Sequence, residues 1–146
     1  ENNAGTIPDF VEKMNQKAND MGMKDTHFKN PTGLDTEGAY SSARDVSVLA
    51  MHLMNDPQIR EIVRLKNAEL KTVDGDTHML KSTNLLLNEM GVAGIKTGST
   101  DAAGECFVSY AISPEGHALV TVVLGSHQRF ADTKYLLNWL YQNTEY

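Results

Sequence analysis

The segment "ALVTVVL" (118–124) is apolar at every position but one. A strand with one solvated face alternates apolar and polar residues, whereas a strand apolar at both sets of positions is covered on both faces. Helices must therefore sandwich the sheet that holds this segment. Residues 92–97 and 105–112 are also strand-like, and "SPEG" (113–116) joins the second of them to the apolar strand. With Pro at its second position and Gly at its fourth, that tetrapeptide has the composition of a type I turn. The order predicts an antiparallel meander, preceded by helices and closed by a last amphipathic helix at 129–142 that presents Phe130, Leu137, Leu140 and Tyr141. The fold class is α+β, an antiparallel sheet flanked by helices. Three strands leave "ALVTVVL" at an apolar edge, which soluble proteins avoid. The expectation is a strand partner missing from this chain, or self-association through that edge.

The helices carry their own boundary signals. Thr6 is placed to cap the first, with Pro8 in its first turn and Asp9 three residues after the cap. Phe10, Met14, Ala18 and Met21 recur at helical spacing, and Gly22 is a C-terminal stop. Residues 26–38 read as loop, with a Pro-Thr-Gly turn and no period. A second helix is expected at 42–55, started by Ser42 and Asp45 and ended by Asp56-Pro57, with a short helical turn at 59–63. Residues 66–80 read as a hairpin around "VDGD", and "STNLLL" (82–87) as a capped helical turn.

The charge balance removes several function classes. At 146 residues the chain suffices for one domain with a core. A net charge of −6 and no basic face argue against nucleic-acid partners. No apolar run reaches the roughly 18–20 residues of a membrane span. Cys106 is the one cysteine, so no internal disulfide forms, and with scattered histidines it makes no structural zinc site. No metal and no cofactor are expected.

The stretch "GIKTGST" (94–100) has two readings. A phosphate-cradling loop needs Gly, four residues, then Gly-Lys-Ser/Thr and a helix. Here the lysine precedes the second glycine and a strand follows, so the spacing fails. The alternative is Lys-Thr-Gly on an edge strand. Lys96 supplies positive potential, the Thr97 and Ser99 hydroxyls bind a substrate carboxylate, and Gly98 leaves room for another backbone. The Ser99 N–H points at a developing oxyanion, as in acyl transfer, and the edge can take an extended peptide by strand addition. Alone, the tripeptide is equally a solvated strand end. In a meander the first and third strands run the same way, so the ends near Gly98 and Gly125 lie on one side of the sheet. That brings His127 or Arg129 toward the cleft, unless they serve as a cap or surface charge of the last helix.

Five segments in order, "GMKDTHFKNPTGLD" (22–35), "YSSARDVSVLA" (40–50), "STNLLL" (82–87), "VAGIKTGST" (92–100) and "LGSHQRFADTKYLLNW" (124–139), carry a wider likeness. Together they resemble the low-molecular-mass penicillin-binding proteins, the serine D-alanyl-D-alanine carboxypeptidases. The resemblance implies part of a penicillin-binding, serine β-lactamase-like transpeptidase fold. It implies a catalytic role for Lys96, with Thr97, Gly98 and Ser99 as substrate-binding wall, and a basic residue such as Arg129 or His127 meeting the substrate carboxylate. The implied partners are a peptidoglycan stem peptide ending in D-Ala-D-Ala and β-lactams, in an extracytoplasmic, membrane-associated parent protein.

The family's other two motifs are Ser-x-x-Lys and Ser-x-Asn. None of the eight serines begins a Ser-x-x-Lys. Ser82-Thr83-Asn84 matches the second pattern, but its context resembles the turn before Lys-Thr-Gly, so Ser82 is read as a cap. Residues 1–146 are thus expected to be the C-terminal portion of one catalytic domain, without its nucleophile and inactive alone. A serine β-lactamase relative and a non-enzymatic peptidoglycan- or partner-binding module are the alternatives.

Overall fold

The computed structural model describes residues 3–144. Four helices and five strands follow in the order α1 (Ile7–Asp20), α2 (Ala43–Leu53), α3 (Pro57–Val63), β1 (Asn67–Lys71), β2 (Thr77–Lys81), β3 (Val92–Thr100), β4 (Gly104–Ile112), β5 (Ala118–Ser126) and α4 (Arg129–Asn143). The predicted α+β class holds.

Local chemistry sets the helix starts. Thr6 Oγ1 accepts from the Asp9 N–H at 3.2 Å, and Ser42 Oγ accepts from the Asp45 N–H at 3.2 Å. Asp56 caps α3 by accepting from the Gln58 N–H at 2.8 Å, with Pro57 in the first turn, where a missing N–H costs nothing. The Asp45 carboxylate does not turn back on its own helix. It is 2 % exposed and accepts from the Asp25 N–H at 2.7 Å and the Thr26 hydroxyl at 2.8 Å, fastening the start of the long loop to α2.

The sheet is the expected meander, in the order β3-β4-β5 and antiparallel throughout. Phe107 and Ala111 of β4 and Val92 of β3 point to one face and form a core with Leu86 and Leu137, the last contributed by α4. Phe107 meets Phe130 edge to face at 5.3 Å, the geometry aromatic quadrupoles prefer. On the same face Ser109 and Thr121, both buried, satisfy each other at 2.7 Å. Leu119 through Val123 are all buried or half-buried, and α2 and α4 both pack on β5. The apolar strand is therefore covered on both faces, as its composition requires. Among the described residues, β5 pairs only with β4.

The stretch at 26–38 is the loop expected of it, whereas 82–87 departs from the sequence reading. The loop at 26–38 is ordered by its own side chains: Asn30 Oδ1 accepts from the Thr32 and Gly33 N–H groups at 3.0 and 2.8 Å, and His27 and Tyr40 form an isolated bridge. Residues 82–87 form no helix. Ser82 does cap, accepting from the Asn84 N–H at 3.2 Å, and Asn84 Oδ1 accepts from the Leu86 N–H at 3.0 Å. Asn and Ser side chains offer the backbone these short turns in place of a helix. Leu86 and Leu87 are drawn into the core, 3 % and 1 % exposed, which holds the turn in that shape.

Candidate functional site

β3 is an edge strand of the three-stranded sheet among the described residues, and its outer half carries Lys96, Thr97, Gly98, Ser99 and Thr100. Two glycines make its placement possible. Gly91 holds φ at 73° just before the strand, and a Cβ there would fall 2.0 Å from the Ile112 carbonyl oxygen. At Gly94 a Cβ would fall 2.8 Å from Val63 Cγ2, so the missing side chain lets α3 seat against β3. Gly98 is different. Its nearest contact for an added Cβ is Cys106 Cβ at 4.0 Å, ordinary van der Waals distance. Nothing among the described residues requires a glycine there, and Gly98 is exposed.

Side chains alternate along the strand. Thr97 lies opposite Phe107 and is 7 % exposed, while Lys96 lies opposite Val108 and is exposed. The Lys96 ammonium donates to the carbonyl of Thr97. Ser99, opposite Glu105, is exposed on the side that carries Thr97.

Arg129 begins α4, and its side chain crosses back to β3, where Nη1 donates to the Gly98 carbonyl at 2.8 Å. Its own N–H donates to a Glu105 carboxylate oxygen at 3.1 Å, and its guanidinium lies 5.0 Å from the Phe130 ring centroid. Arg129 is thus no bare surface charge: it joins the Lys-Thr-Gly strand, one of the placements that the strand directions left open. Nε of Arg129 is buried without a hydrogen-bond partner among the described residues. His127 stands exposed in the loop between β5 and α4, and among the described residues no contact joins it to β3. In a chain of net charge −6, β3 carries one cation, Lys96, and is met by a second, Arg129, from α4.

Two further residues that sequence reasoning missed hold the site from outside the sheet. Thr83, on the turn between β2 and β3, places its Oγ1 2.6 Å from that of Thr97. Asp35, on the long loop, accepts from the Thr100 hydroxyl at 2.6 Å and the Ala102 N–H at 3.2 Å. That clasp closes one side of a cleft of about 730 Å³ between the loop and the β3–β4 turn, lined by His27, Asn30, Glu37 and Tyr40 among others. Thr83 sits inside the Ser-Thr-Asn turn, where Ser82 attracts attention by its motif and Thr83 carries no signal of its own. Among the described residues no cluster of three or more His, Cys, Asp or Glu side chains could hold a metal ion.

The arrangement offers cations, hydroxyls and an exposed strand edge to an anionic, extended ligand. Comparison with known proteins identifies the family. Residues 1–128 match the family described as D-alanyl-D-alanine carboxypeptidase, peptidase family S11. The D-alanyl-D-alanine carboxypeptidase DacA of Haemophilus influenzae is 34 % identical over 97 % of this chain and 36 % of its own length. DacF of Bacillus subtilis is 35 % identical over 97 % of this chain and 37 % of its own. The crystal structure of the Streptomyces K15 DD-transpeptidase superposes with a TM-score of 0.85 at 30 % identity, covering 92 % of this chain and 55 % of that one. Penicillin-binding protein D2 of Listeria monocytogenes, in its cefotaxime-bound form, gives a TM-score of 0.75 at 34 % identity, over 89 % of this chain and 54 % of that one. The chain spans about a third of the length of these curated relatives.

Proposed function

This chain belongs to the D-alanyl-D-alanine carboxypeptidase family, and from that membership we propose that it is the C-terminal portion of the catalytic domain of a serine-type enzyme. That enzyme removes the terminal D-Ala from peptidoglycan stem peptides and is acylated by β-lactams. The observation that supports the reading is the Arg129 guanidinium on the Gly98 carbonyl at 2.8 Å, which brings a second cation to the edge strand that carries Lys96. Both ligand classes carry a carboxylate next to the reacting carbonyl, and such an edge suits that anion.

The nucleophile lies outside these residues, since no Ser-x-x-Lys occurs in the sequence. An upstream serine, activated by a neighbouring lysine, attacks the carbonyl carbon of the D-Ala-D-Ala peptide bond. The C–N bond breaks, the amine of the leaving D-Ala takes up a proton, and water hydrolyses the acyl-enzyme ester. Lys96 holds positive potential at the reacting centre. The Thr97 and Ser99 hydroxyls and Arg129 receive the substrate's terminal carboxylate, and His127 stands at the rim. Gly98 leaves room for the peptide backbone, which fits the absence of any need for a glycine there among the described residues.

The same reading places the parent protein outside the cytoplasm and in association with the membrane. No helix among the described residues is long and apolar enough to cross a membrane. The free edge of β5 is read as the pairing site for a strand of the N-terminal part, with a second copy of this chain as the competing occupant.

Fluorescent penicillin tests the function. The full-length protein takes the label covalently at an upstream serine, and the isolated chain takes none. Labelling of the isolated chain would overturn the assignment, as would an unlabelled full-length protein. Sedimentation of the isolated chain tests the edge: a stable monomer at high concentration counts against pairing between copies.

A further inference from the structure

Thr83 Oγ1 and Thr97 Oγ1 are 2.6 Å apart, a close hydroxyl pair. Each hydroxyl has one proton to give and two lone pairs to receive. When two such groups bond to each other, one proton is consumed between them and one remains to be given outward. Which hydroxyl gives it, and in which direction, is decided by the pair and not by Thr97 alone. Thr97 is 7 % exposed whereas Thr83 is exposed, so the pair runs from the buried base of the edge strand to its surface.

The turn that presents Thr83 is fixed on both sides. The Ser82 N–H donates to the Lys66 carbonyl at 2.8 Å, and the Asn84 N–H to Ser82 Oγ at 3.2 Å. Asn84 is 8 % exposed, its Oδ1 holds the Leu86 N–H, and Leu86 and Leu87 anchor the following residues in the core. A hydroxyl carried on such a turn keeps its oxygen in place, whereas one on a free loop would not. The turn has no strand pairing with β3, so this hydroxyl contact is its side-chain tie to the Lys-Thr-Gly segment among the described residues.

We propose that Thr83 is a positioning residue for carboxylate recognition. It locks the hydroxyl rotor of Thr97 so that the pair directs one O–H at a ligand's carboxylate beside Lys96 and Arg129. The inference rests on the carboxypeptidase reading above. It goes further, because it gives the Ser-Thr-Asn turn a function through its middle residue and not its serine.

The test compares a labelled penicillin with the same molecule carrying its carboxylate as a methyl ester, using the second-order rate of acylation of the full-length protein. Thr83→Val keeps the shape of the side chain and removes the hydroxyl. The acid-to-ester rate ratio should fall about tenfold in this variant, the usual effect of one hydrogen bond to a charged group. The rate with the ester should stay at the wild-type level, and Thr83→Ser should restore the ratio. An unchanged ratio, or an equal loss on acid and ester, overturns the proposal, since a merely structural residue would slow both. If Thr83→Val loses its melting transition, Thr83→Ala is measured in its place against the same two outcomes. A wild-type protein that reacts with neither compound overturns the carboxypeptidase reading itself. That failure is told apart because it appears before any variant is made.

Discussion

Arg129 Nη1 donates to the carbonyl oxygen of Gly98 at 2.8 Å, joining residues 31 positions apart across one end of the sheet. The first residue of α4 is thereby tied to the outer half of the Lys-Thr-Gly strand. Its backbone N–H is held separately by Glu105 at 3.1 Å, so a substitution of the side chain leaves the start of the helix anchored.

Arg129→Ala should therefore cut β-lactam acylation of the full-length protein without a large change in melting temperature. A hydrogen bond from a charged donor contributes about 1.5–3 kcal/mol, equivalent to roughly a ten- to hundredfold loss in rate constant. Arg129→Lys keeps the charge but not the planar fork and should fall between the two. Stopped-flow acylation measures both. A wild-type rate in Arg129→Ala would remove this residue from the site.

Asp45 is buried and accepts from the Asp25 N–H and the Thr26 hydroxyl at 2.7 and 2.8 Å. Truncation leaves the Asp25 N–H without its acceptor and the Thr26 hydroxyl with the Ser41 hydroxyl, 2.8 Å away, as its partner. Asp45→Ala should lower stability by about 3 kcal/mol or more, two hydrogen bonds to a charged group being lost. Urea denaturation reads the loss, and amide exchange should rise first at residues 25 and 26. A loss below about 1 kcal/mol would show that water replaces the carboxylate at little cost.

Two glycines with left-handed backbone should respond very differently to alanine. At Gly75, φ is 92° and nothing lies within 4 Å of an added Cβ. Gly75→Ala should cost only the backbone strain, about 1–2 kcal/mol. At Gly91 the added Cβ would lie 2.0 Å from the Ile112 carbonyl oxygen, next to the bond that Ile112 N–H makes to Gly91 at 3.0 Å. Gly91→Ala should cost clearly more than Gly75→Ala, because the entry to β3 must shift. Melting of the two variants side by side checks the order.

The ion pair between Lys134 and Glu89, 2.7 Å apart, ties α4 to the turn before β3. The Lys134 hydrogen bond and charge hold the Glu89 carboxyl below its ordinary pKa. A carboxyl whose pKa is depressed on folding binds more protons in the unfolded chain, so its stabilisation is present above the unfolded pKa and is lost as pH falls through the folded one. Glu89→Gln should lower the melting temperature slightly at pH 7. The difference from wild type should close at pH values below about 4. It should also shrink in high salt, because both side chains reach solvent.

Strand and helix placement was largely legible in the residues. Caps at Thr6 and Ser42, the turn at 113–116 and the two-sided apolar strand each act over a few positions, and local backbone preference and burial pattern follow from them. Strand direction in a meander left His127, Arg129 or neither as the residue near the end of β3, and only the folded chain shows Arg129 bonded there. The turn at 82–87 was misread as helical because a Ser cap precedes three consecutive leucines, which are strong helix formers. The side chains of Ser82 and Asn84 captured the backbone N–H groups first.

The sequence by itself determined the fold class, the position of the Lys-Thr-Gly edge and the lack of a Ser-x-x-Lys nucleophile among these residues. Only the tertiary structure decided what holds that edge. Thr83 meets Thr97 across 14 positions and Asp35 meets Thr100 across 65, while Gly94 makes room for Val63. The reason is one of range. Periodicity and capping report which face of an element is buried and where it stops, and both are local. A hydroxyl or carboxylate on a turn has several partners of equal chemical suit, and the folded chain alone brings one of them within hydrogen-bonding distance.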